Sequence, residues 1–375
     1  MGSAEYTILI ASIITGTAYA ILIAIFTVGW FKLKKAGSGE ISSANISIVV
    51  PVRNEQDNIE RLIHRLREQD FPPEQFELII VNDHSVDNTL AVLKKYENQR
   101  GMIVVDLKKG EMGKKQAIDH GIGLACGPLI ITLDADCLPG INWLKTFSSQ
   151  YKEKGYKMIA GPVAIDKTSG FLASFQALEL LSLVVTGAGA IGIGKPIMCN
   201  GANLSYEKDA YREVEGFRGN DHLAGGDDIF MMEKINKMYP AGSIGFISDP
   251  DAIVYTAAAR NIKEFMNQRF RWVAKSPSYR NPFLITSALI VLLFSLCMLA
   301  SLSYAAFSET VAITFGSIFL LKAVVDFPIL WSISGFAGQR HLMAWYIPFQ
   351  LLYFIFISIT GILGNLLSFT WKGRK

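Results

Sequence analysis

Four long stretches of this 375-residue chain are nearly free of charge. Tyr6 to Phe31 and Asn281 to Ser308 carry none, Thr310 to about Gly338 is broken by Lys322 and Asp326, and Leu342 to Trp371 is again uncharged. Each can cross a bilayer as roughly 20 helical residues. The first is too long for a signal-peptide core and shows no small-residue cleavage site, so it reads as a retained anchor. Between the first two stretches the pattern changes. Short apolar runs at Ile46 to Pro51, Phe76 to Val81, Met102 to Leu107 and Pro128 to Leu133 predict strands. Residues 57–69, with Ile59, Leu62, Ile63 and Leu66 on one face, predict a helix, as do residues 87–97 and 114–124. Strands this apolar, separated by helices, predict a mainly parallel sheet covered on both faces. Ligands of such α/β sheets bind beyond the carboxyl ends of the strands. The expected organisation is an anchor over 1–35, an α/β domain over 36–280 that ends in interfacial helices, and a C-terminal membrane bundle over 281–375. Soft boundaries fall at the linker from Lys35 to Ser43 and near Ser276 to Pro282.

A net charge of +3 gives no general attraction to nucleic acid. Cys126, Cys137, Cys199 and Cys297 have no metal or disulfide spacing, which suits free thiols facing the cytosol. Lys32, Lys34 and Lys35 follow the first apolar stretch, and Arg260, Lys263, Arg269, Arg271, Lys275 and Arg280 precede the second. By the positive-inside rule the N-terminus lies outside and the polar domain is cytosolic, in a multi-pass protein of the cytoplasmic membrane. The link Ser308-Glu309-Thr310 has no Lys or Arg, as an outer turn should. Simple counting then puts Lys372, Arg374 and Lys375 outside, against the rule, unless the last stretch is re-entrant; Pro348, Gly361 and Gly364 make it a candidate.

Six polar motifs stand where such a sheet places chemistry. Pro51-Val52-Arg53-Asn54-Glu55 and Asn82-Asp83-His84-Ser85-Val86-Asp87-Asn88-Thr89 end the first two strands. A carboxylate there accepts hydrogen bonds from a base or ribose, although Ser85 or Asp87 would equally cap the next helix. Gly113-Lys114-Lys115-Gln116-Ala117 opens a helix, where a lysine can hold phosphate oxygens or simply be solvated. Asp134-Ala135-Asp136 ends a buried strand; strand alternation would point both carboxylates one way, as a pair able to hold Mg²⁺ or Mn²⁺. Gly225-Gly226-Asp227-Asp228 begins a helix. Its acids satisfy the helix dipole or remove a proton from a hydroxyl. In Gln268-Arg269-Phe270-Arg271-Trp272, helical spacing sets Gln268, Arg271 and Trp272 on one face, suited to a diphosphate and a sugar ring or to a membrane-interface belt.

In this order the motifs resemble the family 2 glycosyltransferases, in particular the membrane-bound branch of ceramide glucosyltransferases and hyaluronan, chitin and cellulose synthases. The resemblance spans about residues 46–275. It implies a GT-A fold, a nucleotide-diphosphate sugar donor, inversion at the anomeric carbon and a divalent metal, Mg²⁺ or Mn²⁺. By the family's pattern Pro51, Asn54, Glu55 and Asp83 line the nucleotide pocket, and Lys114 lies near the donor. Asp134 contacts the donor and Asp136 the metal. Asn200, Gly201 and Asn203 resemble its acceptor-side strand, Asp228 its base, and Gln268, Arg271 and Trp272 its signature helix. The family's usual Glu before the base is Asp227 here, so Asp227 shares the catalytic assignment. A basic tail, Trp371-Lys372-Gly373-Arg374, resembles that of lipid-glycosylating members with one residue fewer, and tilts the acceptor toward a membrane lipid rather than a growing glycan.

The expected mechanism is one displacement: Arg271 and the metal stabilise the leaving diphosphate while Asp228 takes the acceptor proton. A processive polysaccharide synthase and a non-catalytic nucleotide-sugar-binding subunit are the alternatives. Lys322 and Asp326, one turn apart in an apolar stretch, pair structurally or meet a lipid headgroup or glycan.

Overall fold

The computed structural model describes residues 2–33, 45–97, 99, 101–220, 225–364 and 366. Lys34, Lys35, the linker at 36–43 and the tail from Trp371 to Lys375 lie outside the described residues. The chain forms two compact units. A sheet unit comprises Lys32–Lys167 and Ala190–Ala258; a helical unit comprises Met1–Phe31, Thr168–Gly189 and Ala259–Lys375.

The strands in chain order are β1 (Ile46–Val52), β2 (Phe76–Asn82), β3 (Met102–Asp106), β4 (Leu129–Leu133), β5 (Leu138–Pro139), β6 (Met158–Ala160), β7 (Val163–Ile165), β8 (Asn203–Glu207), β9 (Ile244–Phe246) and β10 (Val254–Thr256). The helices are α1 (Ser3–Lys32), α2 (Ile59–Arg67), α3 (Thr89–Lys94), α4 (Lys114–Leu124), α5 (Trp143–Lys154), α6 (Phe171–Gly192), α7 (Lys208–Glu213), α8 (Asp227–Met238), α9 (Ile262–Val273), α10 (Pro282–Tyr304), α11 (Glu309–Phe336) and α12 (Tyr346–Leu363).

In the sheet unit seven strands run in the order β3-β2-β1-β4-β8-β6-β9, and β5-β10-β7 form a small second sheet. The strands β3, β2, β1 and β4 are mutually parallel, as their apolar runs predict. Ile46, Ile48, Val49, Val50 and Val52 of β1 are all buried, which a strand covered on both faces requires. Helix α2 buries the predicted face, Ile59, Leu62, Ile63 and Leu66. Helix α4 comes close to the sheet because Gly121 lacks a side chain: a Cβ there would lie 2.5 Å from Val49 Cγ1. Four parallel strands bring the ends of β1, β2 and β4 to one edge. Antiparallel β8 enters that edge, with Asn203 opposite Leu133.

The helical unit contains α1, most of α6 and α9 to α12. Among the described residues five helices are long and apolar enough to cross a membrane: α1, α6, α10, α11 and the segment Arg340–Leu363 that includes α12. Four match the expected stretches. The fifth, α6, was unforeseen because Glu179 and the flanking polar residues conceal it within the α/β region. Its two ends lead to β7 and β8; the sheet neighbours β6 and β8, with Ala160 opposite Leu204, lie on either side of it in the sequence. Helix α6 is therefore an excursion from one sheet and back. Helix α1 packs through the stripe Ser12, Gly16, Tyr19, Leu22, Phe26 and Trp30, while Ile13, Ile14 and Ile21 are exposed. Helix α12 packs against α10: Phe354 joins the cluster of Phe294 and Met298, and Gly361 sits against Leu292. Its end, Gly364, lies against Val273 of α9.

Candidate active site

The ends of β1 and β2 are laced together by backbone and short polar side chains. Asn54, at φ 53°, donates its N–H to Ser85 Oγ (3.0 Å) and accepts the Val86 N–H at its side-chain oxygen (2.9 Å). The Glu55 N–H donates to Thr89 Oγ1 (2.8 Å), and the Glu55 carboxylate accepts from Asn58 (2.8 Å). Asp87 accepts both the Thr89 N–H and its hydroxyl, so the capping alternative holds one residue ahead of the helix cap. Burial raises the Asp87 pKa, but these hydrogen bonds outweigh it and leave the carboxyl below its usual range. Pro51 pairs with Val81 inside the sheet. Asp83 is buried; it accepts the Gly113 N–H (3.0 Å), and Arg53 donates to its carbonyl (2.9 Å). Gly113 can make that bond because it sits at φ 100°, a conformation open to glycine.

Lys114, the next residue, links two motifs that lie far apart in sequence. Its ammonium is 2.7 Å from Asp134 Oδ1 and 3.0 Å from Asp227 Oδ2. Burial alone would lower its pKa, but the charges of Asp134 and Asp227, with Asp228 behind them, raise it above the ordinary lysine value. Lys114 therefore stays charged, and the stability it contributes is lost only as pH climbs past the ordinary lysine range. Asp228 accepts the Gly201 N–H (3.2 Å) and the Ile229 N–H (2.8 Å). Gly201 is hemmed in: a Cβ there would lie 2.7 Å from Asp227 Oδ2 and 3.3 Å from Lys114 Nζ. So Lys114, Asp134, Gly201, Asp227 and Asp228 converge at the edge where β4 ends and β8 begins.

Asp134 and Asp136 are grouped by a turn rather than by strand alternation. Strand β4 stops at Leu133, Ala135 and Asp136 form a turn, and the Cys137 N–H closes it on the Asp134 carbonyl (3.1 Å). The Cys137 thiol lies under both carboxylates. Burial first, then Asp136 and Asp134, push it well above its usual pKa. Burial, then Asp228 and Asp227, do the same to Cys199. Asn200 accepts the Ala202 N–H (3.0 Å) and shapes that turn. Asn203 is fully buried; its amide donates to the carbonyls of Pro162 (2.8 Å) and Ala252 (2.9 Å) and accepts from the Trp143 indole (3.0 Å). It joins the two sheets.

Among the described residues, no three His, Cys, Asp or Glu side chains close a metal site by themselves. Asp134 and Asp136 offer hard oxygen donors to an ion that keeps several ligands from water and substrate phosphates, as Mg²⁺ does. The residues present fit a metal that arrives with a diphosphate.

Gln268, Arg271 and Trp272 belong to the helical unit, on α9. The helix starts with a side-chain cap: Asn261 accepts the Glu264 N–H (2.9 Å), and Glu264 accepts the N–H of Arg260 (3.1 Å), one residue before the cap. Arg269 has no motif signal of its own, yet its side chain reaches both Gln268 (2.8 Å) and the Trp272 ring (4.0 Å). Two lysines outside the expected site residues hold residues 214–220. Lys115 donates to the Asn220 carbonyl, and Lys234 to those of Val214, Gly216 and Arg218. Backbone carbonyl partners leave no sequence signal.

Comparison with known proteins places the chain in a family. Residues 47–201 match the model for Glycosyl transferase family 2, and residues 129–371 that for Glycosyl transferase family group 2. Glycosyltransferase AglE of Haloferax volcanii is 23% identical over 255 residues, 66% of this chain and 80% of that protein. A Methanococcus voltae protein, dolichyl N-acetyl-alpha-D-glucosaminyl phosphate 3-beta-D-2,3-diacetamido-2,3-dideoxy-beta-D-glucuronosyltransferase, is 23% identical over 235 residues, 61% of this chain and 72% of that protein. The structure of mannosyltransferase PcManGT from Pyrobaculum calidifontis, in complex with GDP-Man and Mn²⁺, superposes with a TM-score of 0.61 at 16% identity. It covers 94% of this chain and 99% of that one, a likeness of fold.

Proposed function

Because the chain belongs to glycosyl transferase family group 2, we propose that it moves a sugar from a nucleotide-diphosphate donor to a lipid acceptor, with inversion. The observation that carries this reading is the convergence of Lys114, Asp134, Asp227 and Asp228 at one sheet edge. A cation set among carboxylates at the carboxyl ends of parallel strands suits a diphosphate on one side and a hydroxyl on the other. Asp83, Asn54 and Glu55 frame the nucleotide. Asp134 and Asp136 would hold the divalent ion, whose charge when bound would favour departure of the diphosphate. Lys114 balances the charge left on Asp134 and Asp227. Asp228, oriented by the Gly201 and Ile229 N–H groups, accepts the proton of the attacking hydroxyl. Arg271 and Trp272 supply a guanidinium and an indole face to the substrates. The lipid acceptor is supported by the dolichyl phosphate-linked sugar that the Methanococcus voltae relative's name specifies.

The test is nucleotide diphosphate release by the detergent-purified protein from a panel of UDP- and GDP-sugars, with Mn²⁺ or Mg²⁺ and with or without lipid extract. Release from one donor, stimulated by lipid, is expected; the absence of any release while donor binds would sink the proposal. In the same assay Asp136→Asn should raise the half-saturating metal concentration at least ~10-fold, since one of two carboxylate ligands is lost. An unchanged metal requirement would remove Asp136 from the site.

The same reading gives a membrane arrangement in which α1, α10 and α11 cross and α12 is re-entrant. The seat of Gly364 on Val273 of α9 supports it. It places Lys372, Arg374 and Lys375 on the cytosolic side with Lys32, in accord with the positive-inside rule. A cysteine appended to the C-terminus should resist a membrane-impermeant maleimide in intact cells and react after permeabilisation. Labelling in intact cells would overturn this arrangement.

A further inference from the structure

Arg269 is 5% exposed, and a guanidinium so buried needs a full set of partners. Glu179 of α6, equally buried, provides two: it accepts from Nε at 2.8 Å and from Nη2 on its other oxygen, a fork-to-fork pair. The remaining Nη1 donates to Gln268 Oε1 at 2.8 Å. The face of the guanidinium is occupied as well, its carbon 4.0 Å from the centre of the Trp272 ring and 4.7 Å from that of Phe265. One cation thus grips a carboxylate of another helix, the amide of Gln268 and the indole of Trp272. Its surroundings are packed aromatic rings: Phe265 stacks on Phe356 at 5.3 Å, and Phe175, one turn before Glu179, meets both rings edge-on.

A buried ion pair is a poor way to gain stability, because an apolar pair of the same volume does as well or better. What the pair adds is direction. Its planar geometry fixes the rotation of α9 against α6, the plane of the Gln268 amide and the tilt of the Trp272 ring. We propose that Glu179 and Arg269 are positioning residues that set Gln268 and Trp272 for the transfer reaction while touching neither substrate. The proposal rests on the transferase reading of α9 given above.

The test uses the full chain in detergent, labelled with 5-fluorotryptophan, with the Trp272 resonance assigned by Trp272→Phe. Three variants are compared with wild type: Arg269→Lys, Glu179→Gln, and Glu179→Leu combined with Arg269→Met. The double variant should melt near the wild-type temperature. In all three the Trp272 resonance should shift or broaden, and kcat with the donor found in the panel should fall ~10–100-fold, the usual cost of losing an outer-shell partner. The donor KM should change far less. A folded double variant with kcat within about twofold of wild type, well below that outer-shell cost, would overturn the proposal. So would loss of activity with the Trp272 resonance unmoved, since the pair would then act elsewhere. Should the double variant fail to fold, Arg269→Lys decides alone, because an ammonium keeps the charge but not the fork. If wild type turns over no donor, the transferase reading falls, and movement of the resonance still decides whether the pair orients the indole.

Discussion

Asp228→Asn should lower kcat by about 10²–10⁴, the range for removing a general base, while donor binding stays nearly unchanged. Asparagine keeps the size of the side chain and one oxygen, which can accept either the Gly201 or the Ile229 N–H, since the two fall on different carboxylate oxygens. What it loses is basicity and one acceptor. Asp227→Asn is the informative control, because Asp227 is the more buried of the two and is tied to Lys114 at 3.0 Å. Neutralising it changes the charge around Lys114 and Asp134, so its main effect should fall on donor affinity. Measuring kcat and donor Kd for both variants assigns the two aspartates. A larger kcat loss in Asp227→Asn, with the fold intact, would exchange their roles.

The largest effect on stability should come from Lys322→Met, at about 3–5 kcal/mol, because it leaves a buried carboxylate without its cation. Lys322 is 2% exposed; it donates to Asp326 Oδ2 (2.5 Å) and to Gln350 of α12, and its ammonium lies over the Tyr353 ring at 5.0 Å. Asp326 also accepts from Tyr19 of α1 (2.7 Å) and from Gln350 (3.0 Å). The cluster ties α1, α11 and α12 together. Lys322→Met with Asp326→Leu removes the ions together and should recover most of the loss. Unfolding of the three proteins in mixed micelles measures this. A single-variant cost below about 1 kcal/mol, the level of an exposed pair, would show that the pair is solvated. Retained turnover in the double variant would exclude contact with a lipid headgroup or glycan, the other reading open from the sequence.

The strands β1 to β4 and the face of α2 were legible because their apolar spacing is local. The motifs at their ends were legible for the same reason: a parallel sheet gathers strand ends, so Asp83 and Asp134 had to share an edge. The Lys114 bridge was not legible, since nothing local says that a lysine opening α4 meets an aspartate opening α8 more than a hundred residues later. Alternation is not what groups Asp134 and Asp136, because it applies only while the strand continues, and β4 stops at Leu133. Helix α6 was hidden by Glu179, a charge that makes sense only beside Arg269. In each case the missing information is the partner.

The hydrogen bond between Tyr19 and Asp326 joins residues 307 positions apart. At a synthesis rate of about 5–20 residues per second, roughly 15–60 s separate the emergence of the two. For that time α1 waits with Ser12 and Tyr19 in need of partners that have not yet been made. The helical unit is thus a late product of translation: α1 is complete while the residues that cover Ser12 and Tyr19 are still to be made. A ribosome stalled before α11 would leave that polar stripe uncovered.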